Sequence, residues 1–295
     1  MRMIMISQEK LSLNKKTKIP YLHIIMFVFT FFTILLAGAW QQGADFIKYP
    51  VKIFEGLPFS ISLICILLAH ELSHYFASRS HGITATLPLF IPAPPPVIFG
   101  TFGAFIKMKS PILSKKALID IGASGPIGGF IVSLIATIIG LRLSDVVSVS
   151  GATGGINLGE SLIFHALSYI TLGHIPDGYD VVLNPIAFAG WIGFFVTAIN
   201  LIPVGQLDGG HIAYAMLGNR HRGLSILLML ILITAGAFFW PGWLVWSILL
   251  IILGINHPPV IQDEVQLDRK RKYIGILCLI IFILTITPVP FSLKI

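Results

Sequence analysis

Apolar residues run through this chain in long blocks instead of alternating with polar ones. Seven blocks stand out, at roughly 21–40, 57–78, 117–141, 181–203, 223–239, 242–256 and 273–290. Crossing a bilayer takes about 20 mostly apolar residues in a helix, so most of these blocks are long enough to span. Helix is the form expected of each, because backbone inside lipid must satisfy its own hydrogen bonds. The fifth and sixth are short and joined by Pro241-Gly242, a turn-favouring pair, so a hairpin that only partly crosses is the other expectation there. A short amphipathic helix is expected at about 160–172. The pattern predicts an all-α polytopic membrane protein with about six to eight transmembrane helices.

One segment breaks the pattern. Residues 84–109 hold Pro88, Pro92 and the run Pro94 to Pro96, each restricting the backbone, yet the segment is too apolar for a free loop. Its second part, Val97 to Lys109, mixes β-branched and aromatic residues with glycines, as bulged or hairpin-forming strands do. The expectation is a small re-entrant β-structure shielded by the helices, since irregular backbone at membrane depth must be buried in protein or line a cavity.

Composition agrees with the blocks. In 295 residues, 55% are hydrophobic and 11% charged, and the mean hydropathy is +0.88, which excludes an ordinary water-soluble globule. The formal charge of +7 does not point to nucleic acid, because Lys and Arg gather at the edges of apolar blocks, where they set topology. With the amino terminus in the cytoplasm, 16 of the 20 basic residues fall on that side and only Lys48, Lys52, Arg142 and Lys294 on the other. The division expected is a basic cytoplasmic leader at 1–20, a first anchor with its outer loop at 21–56, a core at 57–218 and carboxy-terminal transmembrane helices at 219–295. The first block lacks an A-x-A-like cleavage site and reads as a retained anchor, and no organelle transit peptide is evident, so a prokaryotic cytoplasmic membrane is expected. Cys65 and Cys278 lie in separate apolar blocks and suggest neither a disulfide nor a cysteine metal site.

Candidate chemistry centres on His70-Glu71-Leu72-Ser73-His74 in the second block. Residues four apart share a helix face, so both imidazoles can bind one metal ion, with Glu71 beside them to handle a water. With nine His and five Glu in the chain, chance alone gives ~0.005 such matches, and ionisable groups within a membrane are costly enough to imply function. A catalytic zinc takes three protein ligands and keeps one position open. Asp208, in the stretch from Asn200 to Gly210 after the fourth block, is the best third ligand, although Asp-Gly-Gly by itself more often makes a turn. His211 is a candidate partner behind the ligands or a solvent-facing residue. The histidines at 23, 81, 165, 174, 221 and 257 fall near predicted membrane edges or in loops and are not expected to be ligands.

The sequences HELSH at 70–74 and N-x-x-P-x-x-x-L-D-G at 200–209, with the small-residue run Gly122 to Gly129, resemble the site-2 protease family of intramembrane zinc metalloproteases. The likeness runs over about 57–218 and is closest to the branch of the plant chloroplast ethylene-dependent gravitropism-deficient and yellow-green proteases and their bacterial relatives. The resemblance implies zinc as cofactor, His70, His74 and Asp208 as its ligands, Glu71 as catalytic base, and transmembrane proteins as substrates. Asn200 is a possible donor to an oxyanion, or equally a brace for its helix end. The outer loop at 142–180 is too short for an inserted PDZ domain, and no cystathionine-synthase-type domain is expected after the last block. The run Gly122 to Gly129 reads more readily as ordinary small-residue helix packing than as part of the site. Rival readings are a transmembrane metal-ion transporter, which should show polar residues continuing through the membrane or an internal repeat, and an inactive relative that binds membrane partners.

Overall fold

The apolar blocks fold as helices whose ends are set by their flanking residues. A computed structural model describes residues 19–148, 156–260 and 266–293. Most of the expected basic leader, part of the 142–180 loop and Lys294 lie outside the described residues. In chain order the helices are α1 (Tyr21–Gln41), α2 (Leu57–Ser80), α3 (Lys115–Arg142), α4 (Leu162–Leu172), α5 (Pro185–Asn200), α6 (Asp208–Leu217), α7 (His221–Phe238), α8 (Gly242–Leu253) and α9 (Arg269–Thr285). Ser114, Ser161, Asn184 and Asp268 cap α3, α4, α5 and α9 by accepting backbone N–H bonds, and prolines at the first turn open α2 and α5.

Four helical segments are long and apolar enough to cross a membrane: Tyr21–Gln41, Pro50–Ser80, Lys115–Arg142 and Asp208–Phe238. The fourth block is shorter than its apolar run suggested. Residues Tyr179–Val182 pair as a strand with Asp145–Ser148, and Pro185 then starts a 16-residue helix, α5. The chain past that helix also departs from expectation. Residues 204–222 lie outside the apolar blocks, yet they hold α6, whose buried face includes Gly209, Gly210, Ile212 and Ala213. A Cβ at Gly209 would stand 2.0 Å from the Leu201 carbonyl oxygen, so the glycines that signal a turn serve here to let a helix lie against the preceding chain.

Helix α3 is the central element, packed against both α2 and α5, with α6 on a further side. Phe59, Leu63 and Ile66 of α2 and Trp191, Ile192 and Phe194 of α5 belong to one buried apolar core. Many large apolar side chains on α1, α7, α8 and α9 face outward, among them Ile25, Phe29, Leu230, Ile252 and Leu279. Such an outer surface is unfavourable in water and natural against lipid.

The proline-laden segment forms a hairpin. Strand β1 (Leu89–Pro92) pairs antiparallel with β2 (Thr101–Phe105), with an irregularity between Ile91 and Pro92. Helix α1 holds it: Thr33 Oγ1 donates to the Gly100 carbonyl at 2.6 Å, Gln41 Nε2 donates to the Ile98 carbonyl at 2.6 Å, and Phe27 meets the buried Phe90 edge-on. Thr33→Val removes one of these donors, while the Gly100 carbonyl keeps its second bond, from the Ala93 backbone N–H at 3.1 Å. The loss should cost about 0.5–1.5 kcal/mol, read as a lower melting temperature in detergent.

Candidate metal centre

Helix α2 carries two imidazoles and a carboxyl through an apolar stretch, and each is buried: His70 is 4% exposed, Glu71 7% and His74 6%. The four-residue spacing puts both rings on the face that meets α3. Asp208 enters from the first turn of α6, where a carboxylate also suits the positive end of the helix dipole. His70 Nε2 and His74 Nε2 stand 3.1 Å apart, and Asp208 Oδ2 lies 3.2 Å from His74 Nε2 and 3.3 Å from His70 Nε2. Donors on a tetrahedral zinc, each at about 2.0–2.1 Å, are separated by roughly 3.3 Å, so the three atoms already match the edges of such a coordination shell. Among the described residues this is the one group of three or more His, Cys, Asp or Glu side chains with that arrangement.

The tautomer of His74 fits the same purpose. Its Nδ1 lies 2.8 Å from the Ile121 carbonyl oxygen of α3. A carbonyl can only accept, so Nδ1 carries a hydrogen, and in the neutral ring that leaves the Nε2 lone pair facing the common point. Helix α3 can come this close because Gly125 faces the ring: a Cβ there would sit 2.0 Å from His74 Nε2. Gly129 lies against His70 in the same way, at 3.1 Å from Nδ1. The small-residue run expected to be plain helix packing therefore lies against the donor histidines.

The model of a family described as Peptidase family M50 matches residues 58–239, more than half of the chain and the part that holds all three donors and Glu71. The chain belongs to peptidase family M50. Among the proteins it resembles are two from Arabidopsis thaliana. One named probable zinc metalloprotease EGY2, chloroplastic, is 30% identical over 81% of this chain and 43% of its own. Another named probable zinc metalloprotease EGY1, chloroplastic, is 32% identical over 82% of this chain and 44% of its own. A protein of Oryza sativa subsp. indica named probable zinc metalloprotease EGY3, chloroplastic, is 25% identical over 88% of this chain and 47% of its own. The chain thus spans less than half the length of these curated relatives. No solved structure matches it.

In this M50 chain the other expected residues are placed as follows. Glu71 follows His70 directly, on the helix against which strand β2 packs. Asn200 is the last residue of α5 and partly buried, and its side chain makes no hydrogen bond to another described residue. His211 does not pair with Asp208. Its Nδ1 lies 2.7 Å from His257 Nε2, in a group where Tyr214 stacks on His257. His81 was expected to be an unremarkable edge residue, but its Nε2 donates to Asp120 at 2.8 Å. Sequence reasoning missed Ile121 altogether, and no signal marks it, because its contribution is a backbone carbonyl.

Proposed function

We propose that this protein is an intramembrane zinc metalloprotease that hydrolyses peptide bonds in or near transmembrane segments of membrane proteins. The observation that carries this reading is the convergence of His70, His74 and Asp208 on one point, with Glu71 one residue from His70. Zinc held there would acidify a bound water toward neutrality and polarise the scissile carbonyl. Glu71 takes a proton from the attacking water and returns it to the leaving amine. Asn200, with its side chain uncommitted, is proposed as the donor to the oxyanion. The names of the plant relatives support the zinc and the chemistry.

A substrate helix must open before its amide reaches the donors, because helical carbonyls are already hydrogen-bonded. The β1–β2 hairpin is proposed to lie re-entrant in the membrane and to receive the opened segment on its free edge by β-addition. The packing of β2 against α2 supports this, since it brings the strand alongside the helix that carries the proposed base. Gly103, at φ +101°, has no neighbour within 4 Å of an added Cβ, so a substitution there acts through backbone alone. Gly103→Pro cannot hold that φ and should abolish cleavage with one zinc still bound per chain; unchanged cleavage would remove the edge from the mechanism.

The clustering of Lys and Arg at one set of helix ends supports an orientation with the amino terminus and the site toward the more basic, cytoplasmic-type side of the membrane. The test of the function is cleavage of a panel of single-span membrane peptides by the detergent-purified protein, with and without a zinc chelator. Chelation should stop cleavage and added zinc restore it. Stoichiometric zinc with no cleavage of any peptide would defeat the protease reading.

A further inference from the structure

The ring of His74 is oriented by a backbone carbonyl, and a carbonyl is only as well placed as the turn that carries it. That turn is held by the side chain next to it. Asp120, the residue before Ile121, accepts from His81 Nε2 at 2.8 Å and from Arg271 Nε at 3.0 Å on each carboxylate oxygen, with Arg271 Nη2 on Oδ2 as well. His81 is the C-cap residue that follows α2, seven positions beyond His74 and so on nearly the same helix face. Helices α2 and α3 are therefore joined at two points, about two turns apart along α2 and on neighbouring residues of α3: His74 to the Ile121 carbonyl and His81 to the Asp120 carboxylate. Two such points fix both the rotation of α2 about its axis and its slide along α3.

Arg271 adds the third element. It lies in the first turn of α9, its guanidinium also pairs with Asp268, and its backbone N–H donates to Asp268 Oδ1 at 2.9 Å. Those contacts hold the Asp268 carboxyl below the usual carboxylate range and tie the start of α9 to Asp120. The Asp120 and Arg271 side chains are each about one-fifth exposed, so this ion pair is partly shielded and its geometry is bidentate, which distinguishes it from a mobile surface pair.

We propose that Asp120 is a positioning residue for the metal centre: by joining His81 and Arg271 it sets the Ile121 carbonyl that orients His74, and so couples the carboxy-terminal helix α9 to metal affinity. The inference rests on the metalloprotease reading for its effect on turnover but not for its effect on metal binding.

The experiment uses the full chain in detergent, with Co2+ as a spectroscopic probe and zinc affinity measured by chelator competition. Asp120→Ala should weaken metal binding by about 10–100-fold, the usual effect of losing an orienting partner behind a ligand. It should also shift the visible Co2+ bands, and kcat should fall by a similar factor with KM unchanged. Arg271→Ala should move the same readouts in the same direction, and Asp120→Glu should recover part of the affinity. Where Asp120→Ala fails to fold, Asp120→Asn and Arg271→Lys, which keep size and some of the hydrogen bonds, are read by the same spectrum. Folded variants with wild-type metal affinity and an unchanged Co2+ spectrum would overturn the proposal, since a purely structural clamp lowers stability without touching the ligand field. A chain that binds Co2+ with Asp120-dependent affinity yet cuts no peptide would refute the protease reading and uphold this one.

Discussion

Glu71→Gln should reduce kcat for a single-span peptide by about 10²–10⁴-fold, the range that general acid–base catalysis contributes, with zinc still bound at one per chain. The substitution is nearly isosteric and removes the group that accepts a proton, while the donor atoms of His70, His74 and Asp208 belong to other side chains. Zinc content by elemental analysis and cleavage by gel assay are read on the same preparation. Retained cleavage would move the base elsewhere in the site. Loss of both zinc and cleavage would mean that Glu71 helps hold the metal, a different role from the one proposed.

Gly125→Ala should have the second largest effect and should act on the metal itself. The new methyl would stand 2.0 Å from His74 Nε2, far inside contact distance. The ring cannot swing away freely, because its Nδ1 is bonded to Ile121, which sits on the same helix as the methyl. Either the ring leaves its carbonyl or α3 moves off α2, and overpacking of this kind costs about 1–3 kcal/mol in stability. Zinc affinity should fall by at least the 10–100-fold expected for a misplaced ligand, and cleavage with it. Gly223→Ala is the control: its Cβ meets nothing within 4 Å on α7, so it should leave metal, activity and melting temperature close to wild type. If Gly125→Ala keeps full zinc affinity, His74 does not hold the metal in the arrangement described.

These two predictions differ in where their warrant comes from. Glu71 was legible from its neighbours: two histidines four apart with a glutamate between them share a helix face wherever the helix lies. Asp208 was legible only as a candidate. Its distance in sequence from His74 says nothing of contact, and the Gly-Gly after it signalled a turn where the chain builds α6. The first and second blocks kept their limits within two residues, as Tyr21–Gln41 and Leu57–Ser80, because lipid-spanning length and apolarity are properties of the segment itself. The fourth block did not, since part of its apolar run is spent on a strand pairing with Asp145–Ser148, a partner on the far side of α4 in sequence.

The amino-acid sequence by itself therefore determined the helical blocks, their approximate ends, the pairing of His70 with His74 and the place of Glu71, all of which follow from local periodicity and the cost of exposing backbone or charge to lipid. Only the tertiary structure decided that Asp208 meets His70 and His74 at one point, that α1 holds the hairpin through Thr33 and Gln41, that Gly125 gives His74 its room, and that Asp120 gathers His81 and Arg271 beside the Ile121 carbonyl. Those are contacts between residues tens to hundreds of positions apart, or contacts made by backbone, and neither kind leaves a mark in side-chain pattern.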